Sequence, residues 1–218
     1  MQIIKDSFIT KESAETRRGW SEDWFELEMR EFVFVCVAEC ARPQCKEVVA
    51  CSGIGGTDRC WTNDIEDHLE NWYRPISFSP VLHPFLIPEQ CAEEIRKPLT
   101  ASFSVYLNQP GSAANLIRIT VERMLTAIDV PELNEKNNRI TLHHRLKSLK
   151  DQYAPYKDTL MAIKFLGNAG SHTYDEVNID DIEAAFEIME YVVNDLFSGK
   201  KESIDILTKR LYRKFGKQ

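Results

Sequence analysis

The sequence predicts an α+β protein, with a small cysteine-containing β-rich module over residues 1–88 followed by an antiparallel helical bundle over residues 89–218. Two observations carry this. "EFVFVCVAEC" and "CKEVVACSGIGG" are short apolar, β-branched runs joined by the turn "ARPQ", as expected of paired strands. Beyond Pro88 the apolar residues instead recur at helical spacing through several long segments.

Taken in order, the first thirty residues are charged and accommodate a short strand and a helix over "SEDWFELEMREF". The two cysteine-bearing strands follow. "WYRPISFSPVLHPFLIP" holds Pro75, Pro80, Pro84 and Pro88, which forbid helix and disfavour a central strand, so it reads as an extended connector lying across a surface. "PEQCAEEIRKPLTASFSVYLNQ" opens on proline and acids, a good helix start, with Pro98 as a point of kinking. "PGSAANLIRITVERMLTAIDV" spaces Leu116, Ile117, Val121, Met124, Leu125 and Ile128 along a helix face, and "RITLHHRLKSLKDQ" does so with Ile140, Leu142, Leu146 and Leu149. "APYKDTLMAIKFLGNAGSH" is the next helix. "NIDDIEAAFEIMEYVVNDLFSG" follows, with Asn178 or Asp180 as its cap and Gly199 as its terminator. A basic amphipathic helix, "KKESIDILTKRLYRKFGK", completes a bundle of about five or six members.

Apolar residues at 43% and charged residues at 28% give an ordinary globular balance, which argues against wholesale disorder. A net charge of −7 argues against a protein coated in nucleic-acid-binding charge. The charge is uneven, however. From Gly199 onward seven cations face two acids, a local +5 that leaves −12 for the remainder. No apolar run approaches the roughly 20 residues that span a membrane, and "MQIIKDSFITKESAETRRGW" lacks the apolar core of a signal peptide. The expected location is therefore cytoplasmic, where the six cysteines stand as thiols or metal ligands rather than disulfides.

The segment "KFLGNAGSH" draws attention because Lys164, Asn168 and His172 are spaced i, i+4, i+8 and would stack along one helix face. Two readings compete. In one, Gly167 and Asn168 simply end the helix and His172 sits near its negative C-terminus. In the other, the row suits metal-independent RNA cleavage, in which a 2′-hydroxyl attacks the neighbouring phosphate. Histidine then moves the proton, lysine stabilises the growing charge on the phosphate and asparagine positions it.

"LMAIKFLGNAGSH", with "SAANLIRITVERML" and "SFSPVLHPFLIP" upstream, resembles the bacterial domain of unknown function 4145, of the HEPN-like superfamily (higher eukaryotes and prokaryotes nucleotide-binding). The likeness runs from about Phe78 to Phe197. It implies a HEPN-like antiparallel helical bundle, frequent homodimerisation, and a role beside restriction or other phage-defence systems with a partner protein. Catalytic superfamily members place an arginine and a histidine at a composite site between two protomers. Carried over, His172 is the general acid/base and Asn168 the phosphate-positioning amide, while Lys164 stands where many relatives have arginine. The resemblance implies either a metal-independent endoribonuclease acting on RNA or a non-catalytic sensing or interaction module.

Other groups carry paired readings. Arg118 and Glu122 form an i, i+4 surface ion pair, or Arg118 supplies a phosphate-binding cation. His143 and His144, adjacent and unable to share a helix face, read as solvated or structural. Arg210, Arg213 and Lys214, interleaved with Tyr212 and Phe215, either track phosphates or form a solvated face beside an apolar seam. Cys40 and Cys45, on the turn containing Pro43, have knuckle spacing for a structural zinc ion, which takes four ligands. Cys36 and Cys60 are the candidates to complete it, with Cys51 or His68 as substitutes. The competing reading is a set of buried free thiols in a small β core. No cofactor is expected for catalysis.

Overall fold

The computed structural model describes residues 1–62, 65–172 and 176–216, with the side chains of residues 61, 62, 65–67, 172, 201 and 202 outside the description. The chain divides into two compact units, Met1–Leu82 and His83–Gln218. The architecture is α+β, with an N-terminal curled sheet and C-terminal helices.

The first unit is an antiparallel sheet of β1 (Gln2–Ile3), β2 (Ile9–Glu12), β3 (Glu31–Glu39), β4 (Val48–Thr62) and β5 (Ile65–Ser79). The order is β1-β3-β4-β5, with β2 on the same edge of β3 as β1. Strict alternation in β3 turns Phe32, Phe34, Cys36 and Ala38 inward and leaves Val33 and Val35 exposed. Phe34 is the centre of this small core, stacked on Phe8 at 5.4 Å and edge-on to Tyr73 at 5.5 Å. Gly53 makes room for it, since a Cβ there would fall 2.5 Å from the Phe34 ring.

Two expectations about this unit need correction. The segment around Pro75 is not a free connector: Trp72–Ser79 is paired with β4 as the end of β5. β5 is an edge strand, and Pro75 sits opposite Gly53 beside a register shift, the kind of place in a sheet that tolerates proline. The N-terminal helix is also elsewhere. It is α1, Ala14–Gly19, where the Ser13 side chain accepts from the Thr16 N–H at 3.0 Å. Over the expected helix there is only a 3-10 turn, Leu27–Met29, because Phe25 folds back against Gly19 and Trp20 and the chain enters β3 at Glu31.

The second unit contains α2 (Glu93–Val105), α3 (Pro110–Ala127), α4 (Leu142–Lys147), α5 (Lys157–His172), α6 (Ile179–Phe197) and α7 (Lys200–Phe215). Ile95 and Leu99 of α2, Ile117, Val121 and Met124 of α3, Leu160 and Ile163 of α5, and Ile182 and Met189 of α6 are fully buried. Phe103 lies between Phe85 and Phe186, edge-on to both. Asn178 and Asp181 form a reciprocal capping box at the start of α6. Gly199, at φ +65°, turns the chain from α6 into α7. Pro98 lies within α2, which starts at Glu93 rather than at Pro88. No helix among the described residues is long and apolar enough to cross a membrane.

Candidate functional site: a cationic cleft on the helical unit

The site begins with the glycines of "GNAGSH". They do not end the helix: α5 continues through Gly167, Asn168 and Gly170 to His172. Their role is to let α3 approach. A Cβ on Gly167 would fall 2.4 Å from the Arg118 Cβ, and one on Gly170 would fall 2.5 Å from the Gly111 carbonyl oxygen and 2.9 Å from the Ala114 Cβ. All three glycines are buried. The backbones of α3 and α5 therefore meet directly, and the polar residues beside the seam are drawn to one place.

Continuous helix puts Lys164, Asn168 and His172 on one face of α5. The His172 side chain lies outside the described residues. Lys164 and Asn168, both half-buried, line a cleft of about 840 Å³ together with Arg118, Arg123 and Glu122 of α3. The opposite wall comes from Glu132, Arg139 and Thr141 on the α3–α4 connection and from His143 and Arg145 on α4. Five cations thus face two carboxylates, on a chain whose net charge is −7. Such a local reversal of sign favours an anion.

Glu122 organises this charge. Its two oxygens accept separately from Arg118 at 2.8 Å and from Arg139 at 3.2 Å. Arg118 also donates to the Asn115 side chain at 3.1 Å, so its guanidinium is held flat along the α3 wall. The Lys164 ammonium lies 4.1 Å from the centre of the Phe165 ring. His144, the sequence neighbour of His143, has its Nδ1 bonded to the Thr141 hydroxyl at 2.8 Å. His143 lines the cleft and titrates below the usual histidine range, first because it is desolvated and then because Lys147, Lys164 and His144 face it. A neutral imidazole near pH 7 can accept a proton.

Arg145 is the buried support of the far wall, only 4% exposed. It donates to the Glu122 carbonyl at 3.1 Å, the Thr126 hydroxyl at 2.9 Å and the Val130 carbonyl at 2.8 Å. Burial lowers its pKa, opposed by Glu132 and Glu122. Arg145→Leu is expected to destabilise the protein by about 2–4 kcal/mol, since three acceptors lose their donor inside the protein. Urea unfolding measures this, and an unchanged midpoint would show that the connection is held by other contacts.

The remaining candidates sit elsewhere. Arg210, Arg213 and Lys214 are on α7, exposed, and do not line the cleft. Cys40 and Cys45 do meet, on the loop between β3 and β4. Hydrogen bonding from Arg42, and then from Cys45, lowers the Cys40 thiol to about 7. Cys36 is buried directly across from Cys51, whose thiol is pushed up to about 11 by burial and by Cys36. Cys60 lies opposite His68, and both contact Glu70. Twelve residues of strand, roughly 40 Å of contour, separate Cys60 from Val48 at the loop. Cys36, Cys40, Cys45 and Cys60 therefore do not converge on one ion, and no cluster of three or more metal-binding side chains occurs among the described residues.

The chain is thus a sheet unit followed by a helical unit that bears a cleft lined by five cations and two carboxylates. The chain belongs to the family described as domain of unknown function (DUF4145), whose model matches residues 100–214. A second domain of unknown function (DUF8608) matches residues 1–83. No curated protein and no solved structure matches the chain.

Proposed function

We propose that this protein is a HEPN-like, metal-independent endoribonuclease of a bacterial phage-defence or restriction-associated system, binding RNA phosphates in the α3–α4–α5 cleft. The observation that carries the reading is the convergence of Lys164, Asn168 and Arg118 in one cleft of reversed charge. In the proposed reaction the ribose 2′-oxygen attacks the adjacent phosphorus and the P–O5′ bond breaks. A 2′,3′-cyclic phosphate and a 5′-hydroxyl end result. One histidine takes the 2′-hydroxyl proton and another acid returns a proton to the leaving 5′-oxygen. His172 and His143 are the groups for these steps. Lys164 and Arg118 offset the charge growing on the non-bridging oxygens, and the Asn168 amide donates to one of them.

One observation favours the second reading, a non-catalytic sensing or interaction module: Arg118 is already engaged by Glu122 and Asn115. The deciding experiment incubates a mixed set of labelled RNAs with protein in excess EDTA, comparing wild type with His172→Ala and His143→Ala. The expected result is wild-type cleavage leaving cyclic phosphate ends, abolished by His172→Ala in a folded protein. Cleavage by none of the three would favour the binding module, and equal cleavage by all three would rule out this site.

A further inference from the structure

We propose that α7 is an exchanged dimerisation arm, which packs on the acidic outer face of α6 in a second copy of this chain. The inference stands apart from the ribonuclease reading and uses no residue of the cleft.

Every described side chain of α7 from Ser203 to Phe215 is exposed, and no other element packs extensively on it among the described residues. Its sequence is nevertheless patterned for burial. Ile204, Leu207, Leu211 and Phe215 form one stripe at i, i+3, i+7, i+11, each at least half exposed. An amphipathic helix with a bare apolar stripe in water is a docking element without its partner. Along one border of the stripe run Arg210 and Lys214, one turn apart.

The outer face of α6 has the matching features. Glu183, Glu187 and Glu190 lie on one border, exposed and without an ion-pair partner among the described residues. On the other border are Ala184 and Tyr191, the latter 60% exposed. A groove of about 530 Å³ at the α6–α7 junction continues this face, lined by Tyr191 and Asn194 of α6 and Ile204 of α7. The lengths also agree: 16 residues of α7 and 19 of α6 span roughly 24 and 28 Å.

Charge selects the occupant. Two α7 helices packed on each other would set like charges together, whereas α7 on α6 sets Arg210 and Lys214 against the three glutamates. RNA would meet only the basic border, leaving four apolar side chains wet. Beyond the groove at their junction α7 makes no extensive contact with its own α6 among the described residues, so the complementary face proposed for it is that of another copy. Exchange in both directions gives two such contacts, as an isologous two-fold dimer requires, and doubles the buried area toward the roughly 1,200–2,000 Å² of a specific interface.

Sedimentation equilibrium of the full chain from 1 to 100 μM tests this. Wild type should be dimeric in the micromolar range. Leu207→Glu with Leu211→Glu should weaken association by about thirty-fold or more while the bundle keeps its helical circular dichroism. Arg210→Glu with Lys214→Glu should do likewise, as should Glu183→Lys with Glu187→Lys, and combining the two charge reversals in one chain should restore the dimer. A monomeric wild type at 100 μM overturns the proposal. So does a dimer unaffected by the α7 substitutions, and so does a failure of the combined reversal to rescue. RNA retention lost with the α7 charge reversal but with the dimer intact would assign the helix to nucleic acid instead.

Discussion

Gly170→Val is expected to leave the helical unit largely unfolded at 25 °C, and Gly170→Ala to cost about 2–3 kcal/mol. The added Cβ would meet the Gly111 carbonyl oxygen at 2.5 Å and the Ala114 Cβ at 2.9 Å. Neither obstacle is the movable end of a side chain. An opposing effect exists, since alanine improves on glycine inside a helix by about 1 kcal/mol. It loses here because relief requires α3 and α5 to separate, opening voids around Ile117, Val121 and Ile163, all essentially inaccessible. Denaturant titration of the full chain, followed by circular dichroism, measures both variants. A Gly170→Ala protein as stable as wild type would mean that the two backbones do not meet.

Lys164→Glu should weaken single-stranded RNA binding at least tenfold at about 100 mM salt and lower the slope of log affinity against log salt by roughly one. Lys164 shares the cleft with Arg118 and Asn168, and reversing it takes away one phosphate partner and adds a repulsive charge. Lys164→Arg is the informative companion, because a planar fork can grip two phosphate oxygens. It should bind at least as well as wild type. Fluorescence anisotropy across a salt series reads both quantities. If Lys164→Glu shifts neither affinity nor slope, RNA does not use this cleft.

The alternation of Phe32, Phe34, Cys36 and Ala38 and the helical spacing of Ile117, Val121 and Met124 made the strands and long helices legible, because each pattern is imposed by burial on one face. β5 was hidden by Pro75, since an edge strand needs hydrogen bonds on only one side. Ser13 was a readable cap that the more aromatic segment after it overshadowed. Gly167 and Gly170 looked like helix breakers because their reason lies on another helix. The matching spacing of Gly111 and Ala114 was the available signal, as small residues three apart on two helices permit close contact. Lys164, Asn168 and Arg118 were identifiable from residue type and spacing. Arg139, His143 and Arg145 were not, because an irregular connection brings them in. Arg145 among Leu142, Leu146 and Leu149 was the one hint, a cation on an apolar helix face.

The glycine seam also divides the cleft mechanically. Where two backbones touch, no side-chain rotamer can be exchanged to let one helix slide over the other, so α3 and α5 behave as a single stiff jaw. The opposing jaw is made differently: residues 131–139 are exposed throughout, and Arg145 ties α4 to α3 at the Glu122 carbonyl and the Thr126 hydroxyl and to the connection at the Val130 carbonyl alone. Compliance is concentrated there. A ligand entering the cleft finds Lys164 and Asn168 on its close-packed side and Arg139, paired with Glu122, on the exposed one.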